Sequence, residues 1–207
     1  MEKNILMHLL LSLLLAFSVS AGKPQDSPIT STEFWTAYNM VKPVAYASEK
    51  KTLDARLTKT LLSRKIPVDQ KAAIINAIGW SPDGNHNADT WIAALKKKYK
   101  TGSITPESPL SADDFMCLGY LLVMDDYFQP QNALPYLEQA NKLRPGDYTL
   151  RMILALTLSQ RDMDSNWCLV YRNVEAVQND KSLRRNLRPE ATDIIMDYIN
   201  LYQESCQ

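Results

Sequence analysis

The sequence predicts an all-α fold, and three observations carry that prediction. Apolar residues recur at helical spacing: Leu53, Leu57 and Leu61 stand four apart with charges between them, and Trp91, Leu95 and Tyr99 repeat the pattern. Helix start and stop signals punctuate the chain. Thr30 with Glu33, and Ser111 with Asp114, have the spacing of a capping box, and Gly79 closes an apolar stripe. No segment alternates apolar and polar residues with β-branched enrichment, which is the pattern of a half-buried strand.

Taken in order, the first segment differs in kind from the rest. Lys3 precedes an apolar core from Ile5 to Phe17, and small residues follow at Val19-Ser20-Ala21. That arrangement predicts a secretory signal peptide over residues 1–21, cleaved after Ala21. The apolar run is shorter than the ~20 residues that span a bilayer, and His8 and Ser12 interrupt it. No Cys follows the cleavage position, so lipid attachment there is not expected. The expected location is the periplasm or the cell exterior, with no stable membrane span after cleavage.

Residues 22–30, with Pro24 and Pro28, read as a disordered lead-in. A helix then carries Phe34, Trp35, Tyr38 and Val41 on one face, and Pro43 ends or kinks it. A second helix runs to about Arg64. Pro67 suits a first helical turn, and Ala72, Ile74, Ile75 and Ile78 form the stripe that Gly79 closes. The loop from Trp80 to Asn87 is turn chemistry throughout, with Asn87 as the cap of the next helix. Lys96, Lys97, Lys98 and Lys100 crowd that helix's end, where cations complement its dipole. Gly102, Pro106 and Pro109 mark an internal boundary. It separates an N-terminal helical region, 31–101, from a second helical region, 111–207. Pro189 opens the last helix, with Ile194, Tyr198, Leu201 and Tyr202 on one face.

Composition limits the function classes. The chain holds 23 Lys and Arg against 23 Asp and Glu, so nothing in the global charge asks for nucleic acid or an anionic membrane. Three cysteines are too few for a disulfide scaffold. Cys117 and Cys168 lie in apolar helical contexts and read as buried thiols. Cys206 reads as exposed, incidental or pairing between chains. Beyond Ala21, His86 is alone, with no Cys or second His nearby to build a zinc site or a catalytic base. Asp83 to Asp89 alternates oxygen side chains as a calcium loop does. Ala88 stands where the loop needs glycine, and Ala94 where it needs a bidentate glutamate. Neither a nucleophile-elbow serine nor a phosphate-cradling glycine loop is present. The expectation is a protein that is not an enzyme, with no catalytic residue, metal or cofactor. Asp125 and Asp126, and then Asp162 and Asp164, fall at corresponding turns and predict an acidic patch on one edge.

The stretch from Leu118 to Pro145 carries the most specific pattern. Phe115 and the pair Leu118-Gly119 lie in one helix; Ala133, Leu137 and Ala140 lie in the next, and Pro145 closes it. These positions resemble a tetratricopeptide repeat, a ~34-residue helix-turn-helix unit that stacks to bury its apolar face. Two features depart from the family pattern: Leu122 replaces the usual tyrosine, and the turn from Asp126 to Asn132 is about two residues long in excess. A fainter second unit places Leu154-Ala155, Leu158 and Tyr171 at matching positions, with Trp167 and Val174 too large for the small ones. The resemblance covers residues about 112–180. It implies helical hairpins stacked as a short TPR-like solenoid, with additional N-terminal helices and a C-terminal capping helix. It implies a protein-interaction module whose groove is lined by the first helix of each unit. The groove positions carried over are Met116, Tyr120, Val123, Met124, Met152, Leu156, Ser159 and Gln160. The expected partner is a protein or peptide, held on a soft methionine-rich surface. An immunity or inhibitor-type blocker of a secreted enzyme or toxin is the alternative, and a hydrolase with its site between the two halves is the second.

Overall fold

A computed structural model describes residues 27–207 except Pro82; the expected signal peptide, and the lead-in as far as residue 26, lie outside the described residues. Among the described residues the fold is all-helical, with nine α-helices, three short 3-10 segments and no strand beyond one isolated bridge, Asp147 to Arg184.

The N-terminal third departs from expectation in several places, beginning with the Thr30 and Glu33 pair, which forms no side-chain cap on the turn that follows. Phe34–Tyr38 is a 3-10 turn, and Pro43 sits in the first turn of α1 (Lys42–Lys50) instead of ending a helix. Proline's fixed φ and missing N–H suit that position. The expected second helix is two. Lys51 takes a left-handed conformation at φ 55°, and Asp54 then caps α2 (Ala55–Leu62) by accepting the Leu57 N–H at 2.8 Å. The third helix, α3 (Val68–Ile78), ends at Gly79 with φ 74°, as its sequence foretold. Nearly every residue of α3 is buried, including Lys71 and Asn76. A helix apolar all round belongs inside a core.

α4 (Asn87–Tyr99) packs on α5 (Ala112–Asp125). Ser111 caps α5 by accepting the Asp114 N–H at 3.2 Å, the partner its spacing predicted. A 3-10 turn, Pro130–Asn132, leads into α6 (Leu134–Leu143). α7 (Tyr148–Asp162) and α8 (Trp167–Asn179) follow, capped by Asp147 and Asn166. α9 (Pro189–Ile199) runs on into the 3-10 segment Asn200–Cys206. From α5 to α8 each helix packs on the next, giving stacked hairpins, while α9 and the last segment close the end. Helices α5 and α6 approach closely at Gly119. A Cβ there would stand 2.5 Å from Leu137 Cγ and 3.1 Å from the Ala133 carbonyl oxygen. Only glycine fits between them.

The boundary at 101–111 is a loop, but the core runs across it. The buried cluster extends from Ile29 to Tyr202, and Trp91 Nε1 donates to the Asp114 carbonyl at 3.2 Å. α3 packs on α1, α5, α7 and the turn at 34–38. The first 3-10 turn of the described chain also meets the segment before α9. The Arg188 N–H donates to Tyr38 Oη at 3.0 Å, and its guanidinium donates to the Ala37 carbonyl at 2.7 Å while lying 4.4 Å over the Tyr38 ring.

Two of the three cysteines depart from expectation. Cys168, in the first turn of α8, is bonded to Cys206, with the two Cα atoms 4.6 Å apart. The terminal 3-10 segment folds back along α8 and brings them together. Cys117 is free and buried, and burial pushes its thiol well above the ordinary range.

Candidate interaction surface

The eight expected groove positions do come together, but they do not line an open groove. Met116, Tyr120, Val123, Met124, Met152, Leu156 and Ser159 are buried, and only Gln160 is partly exposed. Helix α3 packs on both α5 and α7. Asn76 of α3 donates to Tyr120 Oη at 3.0 Å, and Ser27 Oγ donates to Gln160 Oε1. Ser159 Oγ is spent on the Val170 carbonyl at 2.8 Å. The physical reason lies in α3: its isoleucines need an apolar partner, and the methionine-rich face supplies one.

Three of the four carboxylates of the expected acidic patch are taken up by hydrogen-bond partners. Asp125 accepts the Ala88 N–H at 2.7 Å and Asn87 Nδ2 at 3.1 Å, so a carboxylate from α5 caps α4. Burial pushes that carboxyl up, and those two hydrogen bonds only partly oppose it. Asn87, expected to cap the helix, instead accepts the Leu53 N–H at 2.7 Å. Asp162 is tied to Arg161 at 2.7 Å and to Asn173 at 3.0 Å. Asp126 accepts the Phe128 N–H at 3.1 Å. His86 is exposed, 3.3 Å from Asp89. Among the described residues no group of three or more His, Cys, Asp or Glu is placed to hold a metal ion, and no helix is long and apolar enough to cross a membrane.

One buried carboxylate has a readable pH signature. Asp114 is 1 % exposed and accepts from Lys98 Nζ and Tyr99 Oη, both at 2.6 Å, and from Ser111 Oγ at 2.7 Å. Burial alone would raise its carboxyl, but these three donors outweigh burial and hold it below the usual range. A depressed folded-state value adds stability above the unfolded value and loses it as pH falls through the folded one. The expected result is a stability that drops below about pH 4. Urea unfolding of Asp114→Asn beside the parent checks it. The variant should be weaker at neutral pH, and the gap should narrow in acid.

The open surface lies elsewhere, on two loops. Trp80, after α3, and Tyr127 with Phe128, after α5, form a row of rings. The Trp80 and Tyr127 centroids are 5.4 Å apart edge to face, and those of Tyr127 and Phe128 are 4.2 Å apart. Trp80 is 42 % exposed and Phe128 74 %. A cavity of about 350 Å³ opens beside Phe128, walled by Pro130, Met163, Gln131, Gln160 and Asp164. A second, of about 440 Å³, opens beside Trp80, walled by Glu33, Lys51, Asn76 and Asn85. Exposed apolar rings rimmed by polar side chains mark binding sites on soluble proteins. Sequence reading missed both aromatics because loops carry no periodicity. The available signal was the over-long turn from Asp126 to Asn132, with two aromatic residues at its tip.

No protein-family model, curated protein or solved structure matches the chain.

Proposed function

We propose that the protein is an exported, TPR-like interaction module, and not an enzyme, that grips a segment of another protein along its aromatic surface. The observation that carries this reading is the row of exposed Trp80, half-buried Tyr127 and exposed Phe128 between two cavities. Large rings held at low entropic cost are the residues that anchor protein interfaces. An apolar side chain of the partner enters the cavity beside Phe128, and Gln131 and Asp164 on its wall meet the partner's main chain. The close crossing at Gly119, with Ala133, Leu137 and Ala140 buried behind it, supports the kinship to a tetratricopeptide unit. The Cys168–Cys206 bridge supports an oxidising compartment, and so export.

The test is capture from cell-envelope extract with the purified protein and with Trp80→Ala/Phe128→Ala, followed by titration of the recovered partner. Phe128 is 74 % exposed and Trp80 42 %, so the variant should stay folded, with a modest drop in melting temperature from the half-buried Trp80. Its affinity is expected to fall at least tenfold, about 1.4 kcal/mol. Equal affinity in a folded variant would remove the aromatic row as the docking site.

A further inference from the structure

A different face of the molecule carries a second site. Helices α2 and α4 lie side by side and leave an open groove of about 670 Å³ between them. Its lining is small and apolar: Ala55, Thr58 and Leu62 from α2, Thr90 and Ala94 from α4. Lys59, Lys97 and Lys98 stand around it. Lys98 is compensated by Asp114 at 2.6 Å. Lys59 and Lys97 have no carboxylate within ion-pair distance among the described residues. The surrounding chain does not neutralise them either. Residues 42–100 hold 12 of the protein's 23 cations and 5 of its 23 anions.

We infer that this groove seats an acidic amphipathic helix of a partner protein, one with a narrow apolar stripe flanked by carboxylates. The shape asks for a helix. Two neighbouring helices with Ala55 and Ala94 facing the gap let a third backbone approach to the ~8–10 Å of ordinary helix packing. The charge asks for carboxylates, because uncompensated lysines beside an apolar seat reward an anionic flank and reject a cationic one. This site is separate from the aromatic row and does not depend on it.

The test uses three labelled synthetic peptides of equal length. One is an amphipathic helix of Leu and Ala with flanking Glu, one replaces each Glu with Lys, and one scrambles the acidic sequence. Fluorescence anisotropy with the purified protein should show saturable binding of the first, at least tenfold tighter than of the other two. Lys59→Glu/Lys97→Glu and, separately, Ala94→Arg should each weaken it at least tenfold. Trp80→Ala/Phe128→Ala should leave it unchanged, which keeps this result apart from that of the aromatic surface. No saturable binding, or equal binding of the scrambled peptide, would overturn the inference. So would binding that the groove variants do not alter. Phosphatidylglycerol vesicles form a further arm. Adsorption lost in the lysine variant, without peptide selectivity, would assign the groove to an anionic membrane surface instead.

Discussion

A chain carrying Met124→Glu and Met152→Glu is expected to lose its fold, not merely a partner. Both methionines are in the core, at 2 % and 0 % exposure, on helices that α3 packs against. Each new carboxylate would need to leave water without a placed cation, at an effective cost of several kcal/mol per ion even after relaxation. Two such costs meet or exceed the ~5–15 kcal/mol that holds a domain folded. The far-UV circular dichroism of the pair should show no cooperative melting transition. Met124→Leu/Met152→Leu is the control, because a volume-conserving swap costs under about 1.5 kcal/mol per site. A glutamate pair that melts like the parent would mean that α3 is not held against α5 and α7, and the open groove would return as the binding surface.

The second large effect is expected at Asn76. Its Oδ1 accepts the Trp35 N–H at 2.9 Å, and its Nδ2 donates to the Thr32 carbonyl and to Tyr120 Oη, each at 3.0 Å. One buried amide thus joins the N-terminal segment, α3 and α5. Asn76→Ala strands three partners in the interior, at about 1–3 kcal/mol each before relaxation. We expect a loss of about 3–5 kcal/mol in chemical denaturation, with the Trp35 amide losing its protection in hydrogen exchange. Tyr120→Phe removes one hydroxyl from the same junction and should cost only about 1 kcal/mol. Equal effects of the two variants would show that Asn76 does not organise the junction.

Local signals in the sequence were legible where physics acts locally. Gly79, the Ser111 and Asp114 pair and the glycine in Leu118-Gly119 each do what their spacing implied, because caps and close crossings are set within a few residues. Pro43 was ambiguous, since the same ring that ends one helix opens another. The methionines of α5 and α7 lie buried on two helices that pack together. Periodicity says that a face is buried, but not by what, and the covering helix lies 40 residues and more away in sequence. The Cys168 partner was hidden for the same reason, 38 residues on at the end of an unremarkable segment. Trp80 and Phe128 left no periodic trace, and their meaning comes only from two loops arriving side by side.

The clasp between Arg188 and Tyr38 spans 150 residues and has a consequence for biogenesis. A ribosome adding about 5–20 residues per second needs roughly 7–30 seconds to make the second half of that clasp after the first. Within that interval α3 is complete at Ile78 but waits for α5, complete at Asp125, and α7, complete at Asp162, and the segment around Tyr38 has nothing to close upon until Arg188 is made. Long-range closure of this kind also slows folding once the chain is whole. The final closure of the fold therefore waits, by its own topology, for the segment that precedes α9.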